Sequence, residues 1–236
     1  MLENIPVYIQ GLFVISTFAA LGVFYTVLRK SQGFEKKAYI IILGLILWLI
    51  LQGVLSYKHF YSSHPNSLPP RFVLLIFPPL VTIIFLFASK NGRSFLDSLP
   101  IQWLTYLHAV RIPVEWVLYA LFLEEAVPEL MTLEGRNFDI LAGITAPFVA
   151  YLGLQKRLLS PKAVLWWNII ALALLLNIVA HGILSAPSAF QQLAFDQPNK
   201  ALLHFPFTWL PGFIVPLVLF AHLVSIRSLL CQIRSK

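Results

Sequence analysis

The sequence predicts an all-α, polytopic membrane protein, a bundle of seven transmembrane helices forming one domain over residues 1–236. Three observations predict it. Hydrophobic residues make up 58% of the chain and charged residues only 11%, against roughly 25% charged in an ordinary soluble domain. A soluble domain of this length could not cover itself with so little polar surface. Seven apolar stretches come close to the ~20 residues that cross ~30 Å of hydrocarbon. The basic residues fall between those stretches, on alternate loops.

The expected spans are, in order, about 6–28, 38–57, 71–89, 101–123, 138–155, 163–184 and 205–229. Each is read as a helix because lipid offers no partner for a free backbone N–H or C=O. The first ends on Arg29-Lys30, and the second lies between Lys37 and Lys58. The third carries Pro78-Pro79 and stops before Lys90. The fourth follows Pro100, contains Pro113 and runs out at Glu124-Glu125. The fifth, the shortest, opens on Asp139 at the expected outer boundary and contains Pro147. Its Gly143, Ala146 and Ala150 form a small-residue face for close helix contact. The sixth opens after Lys162, and the seventh carries Pro211 and Pro216. In the loop from Ala186 to Lys200 a short interfacial helix is expected around Phe190 to Phe195, in the headgroup layer or over a cavity.

Charge sets the orientation. Arg29, Lys30, Lys36, Lys37, Lys90, Arg93, Lys156, Arg157, Lys162, Arg227, Arg234 and Lys236 all belong to one side, twelve of the seventeen basic residues. The other side holds Lys58, Arg71, Arg136 and Lys200 with most of the acids, namely Glu3, Glu124, Glu125, Glu129, Glu134, Asp139 and Asp196. The positive-inside rule then places the N-terminus outside and the C-terminus in the cytoplasm, as expected for a multi-pass protein of the cell membrane. The start, Met1 to Pro6, carries Glu3 and no basic region, so no cleavable signal peptide is expected. The net charge of +7 sits in loop clusters, which set orientation rather than bind polyanions, and no nucleic-acid partner is expected. Cys231 is the sole cysteine and excludes an intrachain disulfide.

Spans one to three and five to seven share small matches in the same order. Tyr25-x-x-Leu28-x-Lys30 recurs as Tyr151-x-x-Leu154-x-Lys156, and Gly53-x-Leu55-Ser56 as Gly182-x-Leu184-Ser185. Pro65-Asn66 meets Pro198-Asn199, and Pro79-Leu80-Val81 meets Pro216-Leu217-Val218. A three-plus-one-plus-three parallel repeat produces such a series. So does chance alignment within a restricted apolar alphabet.

Arg111 and Glu115 stand one turn apart in the fourth span, with His108 on the same face. Arg111 lies ~16 Å along the helix from Pro100, too deep to reach water by stretching. A charge at that depth costs several kcal/mol, so the face is expected to meet protein or a wet cavity. Pro113 frees the carbonyl of Ala109 beside the charges. The candidate site is therefore His108, Arg111 and Glu115, joined at similar depth by Asn177, His181 and His204. It is expected to bind or translocate a small polar solute or ion, and the bland alternative is an Arg111–Glu115 pair that only holds helices together. The other chemistry weighed is an intramembrane, hydrolase-like metalloenzyme open to the non-cytoplasmic side. Its ligands would come from His181, His204 and Asp139, with Glu115 or Glu124 as base. A bis-histidine haem site is a third, pairing His108 with His222 or His181 with His204. The seventh span has no lysine for a retinal Schiff base. The sequence specifies no cofactor.

Overall fold

Helix α1 (Val7–Arg29) buries Ile9, Phe13, Ser16, Thr17, Ala20, Phe24 and Val27 on one face, the spacing of a helix with a single protein-facing stripe. The computed structural model describes residues 5–65 and 67–234. Glu3, Asn66 and Lys236, used in the charge sorting and the repeat, lie outside the described residues. The remaining helices are α2 (Ala38–Tyr57), α3 (Val73–Ala88), α4 (Lys90–Ser98), α5 (Ile101–Leu107), α6 (Arg111–Leu123), α7 (Asp139–Phe148), α8 (Pro161–Ser185) and α9 (Val215–Arg234). A 3-10 turn, His108–Val110, joins α5 to α6. A π-helical end, Val149–Gln155, extends α7, and another π segment, Leu210–Ile214, leads into α9. No strand occurs among the described residues.

Five helices of the described residues are long and apolar enough to cross a membrane: Val7–Arg29, Glu35–Tyr57, Ile101–Leu123, Pro161–Ser185 and Leu210–Arg234. The count is six when α3 and α4, which meet at 94°, are taken as one bent span. Asp139–Gln155 is apolar but shorter. The last helix is the most enclosed, 61% of its apolar window being buried, while that of Glu35–Tyr57 is 22% buried. Leu47, Ile50, Phe77 and Ile84 are among the large apolar side chains left on the outside. Such a surface suits lipid, which is as apolar as the side chains it meets.

The breaks have chemical causes. Pro216 has no N–H for the carbonyl of Gly212, so the π segment leaves that oxygen free. Trp48 of α2 fills the vacancy, its Nε1–H donating to Gly212 O at 2.9 Å. Trp209 returns the bond, donating to Leu49 O at 2.9 Å. At the α3–α4 corner Ser89 turns extended and its side chain accepts from the Gly92 N–H at 3.1 Å, an N-cap. Arg93 folds back to donate to Ala88 O at 2.7 Å, satisfying the end of α3. The pair Arg227–Asp97, at 2.9 Å, ties α4 to α9. The third helices of the two halves that share sequence matches thus differ in shape: α3–α4 turns a corner, whereas Leu210–Arg234 continues as one helix.

Two expectations change in the structure. Asp139 does begin α7, but inside the bundle and not at its rim. It bonds Arg111, which lies near the middle of Ile101–Leu123. Helix α7 therefore starts part-way into the bundle, and the segment before it folds inward, burying Ala126, Val127, Met131, Thr132 and Asn137. The second concerns Phe190 to Phe195, where no helix forms. The N–H groups of Gln192 and Leu193 both donate to Leu184 O, which closes a loop instead. This loop interlocks with segment 124–138: Lys200 and Ala201 donate to Ala126 O, and Gln197 donates to Val127 O.

Candidate functional site

Arg111 projects from the first turn of α6 and is only 4% exposed. Its Nη1 donates to Asp139 Oδ1 at 2.8 Å and to Ala171 O at 3.3 Å, while Nη2 lies 2.7 Å from His222 Nε2. A guanidinium can only donate, so His222 Nε2 accepts and its Nδ1 carries the proton. That proton goes to Asn168 Oδ1, 3.1 Å away. Asn168 in turn donates to Val164 O at 3.0 Å. The geometry assigns one neutral tautomer to His222 through partners on both sides.

On the other flank, the Asp139 N–H donates to Asn137 Oδ1 at 3.0 Å. Asn137 Nδ2 donates to Glu115 Oε2 and, at 3.0 Å, to Met131 O. A continuous chain results, Asn168–His222–Arg111–Asp139–Asn137–Glu115, drawing on α8, α9, α6, α7 and the inward segment. The backbone N–H of Leu133 also faces the Glu115 carboxylate, while Oε1 has no hydrogen-bond partner. The Arg111–Glu115 pair weighed as the bland alternative does not form; each group has its own partners. The reason is steric order along the helix. Asp139 and Asn137, two residues apart at the head of α7, meet two groups one turn apart on α6.

Close approach makes this possible. A Cβ on Gly143 would stand 3.0 Å from Arg111 Cβ and 3.3 Å from Ile112 N, so the missing side chain lets α7 lie against the base of Arg111. His108 is fully buried and stacks on His222, ring centroids 3.9 Å apart, with Trp167 edge-on at 5.7 Å. Both of its ring nitrogens lack partners. Rings stacked at van der Waals distance leave no slot for a porphyrin between them, which removes the His108–His222 haem pairing.

Arg111, Glu115, Asn137 and Asp139 line a cavity of about 110 Å³. Its remaining wall is mostly apolar, with Leu118, Leu175, Ile178, Leu210, Ile214 and Val218 among the contributors. Asn199, from the loop before α9, adds a polar edge. Asn199 donates to Gly182 O at 3.2 Å, and its Oδ1 is buried without a partner.

Of the six residues singled out in sequence, His108, Arg111 and Glu115 belong to this cluster. Asn177 instead donates to Arg136 O at 2.9 Å, and His181 Nδ1 bonds Asn177 O at 2.9 Å. His204 packs on His59, ring centroids 5.9 Å apart, in the loop before α9. Among the described residues no three of His, Cys, Asp and Glu come together as a metal site would need. Asn137, Asn168 and His222 complete the cluster without having been picked out for it. His222 carried a signal, being polar within an apolar span, whereas Asn137 sits in a loop whose inward course no periodicity encodes.

His204 gives a pH prediction. Burial, with His59 adding to it, holds its imidazole down to about 4. The unfolded chain takes up this proton near pH 6.5, the folded chain only near 4, so stability is full above about 6.5 and declines between those values. A loss of about 1–2 kcal/mol is expected, allowing for partial solvent access. Melting curves between pH 7.5 and 4.5 should show it, and His204→Asn should flatten the slope. An unchanged slope in that variant would assign the effect elsewhere.

Residues 69–230 match the sequence model of a family described as Domain of unknown function (DUF8737). Every member of the Asn168-to-Glu115 chain falls within that range. No curated protein and no solved structure matches the chain.

Proposed function

We propose that this chain, which belongs to the DUF8737 family, is a seven-span protein of the cell membrane that binds a small solute in the cavity beside Arg111 and Glu115. Its N-terminus lies outside and its C-terminus in the cytoplasm, as the distribution of basic residues favours. The spans are the five long helices, α3 and α7 with its π-helical end. The inward segment 124–138 occupies the outer part of the path that α7 leaves open. In this arrangement α4, with Lys90, Arg93 and Asp97 against Phe95 and Leu96, lies along the cytoplasmic interface.

One observation carries the binding reading. The buried charges do not meet only one another but also line a cavity. Intramembrane ionisable groups that face a cavity mark solute pathways and sites. The predominantly apolar wall modifies the solute expected from sequence. A purely polar solute would leave its own groups without partners on that wall. A molecule with a polar end and an apolar body fits, and binding it is the first step of either recognition or translocation. The metal-dependent alternative draws no support from the placement of His181, His204 and Asp139.

Gly182 supplies the test. A Cβ there meets Met131 Cε at 3.4 Å, ordinary contact, and it borders the cavity. Gly182→Leu should fill the cavity without breaking the helix. Equilibrium dialysis of 1-pentanol against protein in zwitterionic nanodiscs, with empty discs subtracted, should show one bound molecule per chain. Affinity should fall at least tenfold in the variant. Equal binding to both proteins would refute the cavity as the site.

A further inference from the structure

The charge count within the cavity is uneven. Arg111 is already matched by Asp139 at 2.8 Å. Among the described residues the ion pairs are Arg111–Asp139 and Arg227–Asp97, so Glu115, 6% exposed, has no cationic partner. His222, the imidazole bonded to Arg111, is held neutral by its two bonds. Two carboxyl groups and one guanidinium therefore leave Glu115 without a counterion, and a buried carboxyl in that position takes either a proton or a cation. The unpaired atoms tell the same story. Glu115 Oε1 and Asn199 Oδ1 are buried acceptors without donors, on residues that line the cavity. Arg111 Nε is an unpaired donor, but a ligand anion drawn to it would add a third acid group to two carboxyls that share one guanidinium.

We infer that the solute is a small lipophilic amine whose ammonium group donates to Glu115 Oε1, with Asn199 Oδ1 as the second acceptor of the polar end and the apolar wall around its hydrocarbon body. This rests on the cavity being a binding site and names what it selects. An ammonium supplies three donors and one positive charge, and so meets both shortages at once. Size limits the body. Cavities of ~150 Å³ lined by aliphatic side chains take benzene, so one of about 110 Å³ suits a body of about five carbons. Selection against an alcohol comes from charge, and selection against a carboxylate from repulsion.

The test uses three probes with one tail: n-pentylamine, 1-pentanol and pentanoate, titrated into the protein in zwitterionic nanodiscs at pH 7.5 with empty discs subtracted. The amine is expected to bind at least tenfold more tightly than the alcohol, and the carboxylate most weakly. Glu115→Gln keeps the shape and removes the charge. It should bring the amine-to-alcohol ratio to about one. The comparison of the three probes in the unaltered protein stands even if that variant does not fold. Alcohol binding as tight as amine, or tightest binding of pentanoate, overturns the amine while leaving the cavity reading intact. A preference that survives Glu115→Gln overturns the role given to Glu115. If none of the three binds, the cavity reading falls and the inference with it.

Discussion

Asp139→Ala should destabilise the folded protein by about 3–5 kcal/mol, the usual consequence of stripping one partner from a buried ion pair. Arg111 would keep its bonds to Ala171 O and His222, but would lose the one carboxylate it touches, while Glu115 is held by Asn137 instead. The pair itself contributes far less than this loss suggests, because both charges gave up hydration to form it. The double substitution Arg111→Met with Asp139→Leu should therefore recover more than half of the stability lost in Asp139→Ala. Reversible unfolding in mixed micelles, followed by tryptophan fluorescence, measures both. A loss under about 1 kcal/mol in the single variant would mean that the carboxylate does not compensate Arg111.

Gly92→Ala carries the second large effect, about 3 kcal/mol, at the upper end of what overpacking costs. A Cβ at that position would lie 2.2 Å from Leu86 O and 2.6 Å from Leu86 Cα. Both are main-chain atoms fixed by the hydrogen bonds of α3, so no side chain can swing aside. The 94° corner between α3 and α4 closes on this glycine, and the substitution should open it. Spin labels on Thr82 and Asp97 would register a longer mean distance. Gly44→Ala is the control, since nothing stands within 4 Å of a Cβ there, and helix propensity then predicts no loss. A Gly92→Ala protein as stable as Gly44→Ala would refute the corner's close packing.

Much of the architecture was legible because lipid imposes simple rules. Apolar length located the long helices, and the end of the fourth at Leu123 falls where Glu124 and Glu125 begin. Prolines marked places where main-chain bonds break, yet not what replaces them. Pro216 predicts a free carbonyl at Gly212, but nothing around Pro216 points to Trp48 as its partner. The inward course of segment 124–138 is hidden from sequence for a related reason. Its Glu-rich start reads as a solvated loop, while its buried members, Val127, Met131 and Asn137, are too sparse to show a period. The loop 186–203 lost its expected helix because Leu184 O, at the end of α8, captures two of its N–H groups.

For the candidate site, the sequence by itself determined that Arg111 and Glu115 lie deep in an apolar helix, on one face with His108. Depth and face follow from counting residues along a regular helix, and need no partner to be known. Which groups answer them was decided by tertiary structure alone. Arg111 finds Asp139 28 positions away and His222 111 positions away, and no local rule links residues so separated. An ion pair forms between whichever charges packing brings within about 3 Å, and the nearer neighbour in sequence, Glu115, is held by Asn137 instead. That choice is what leaves one carboxylate oxygen of Glu115 without a partner.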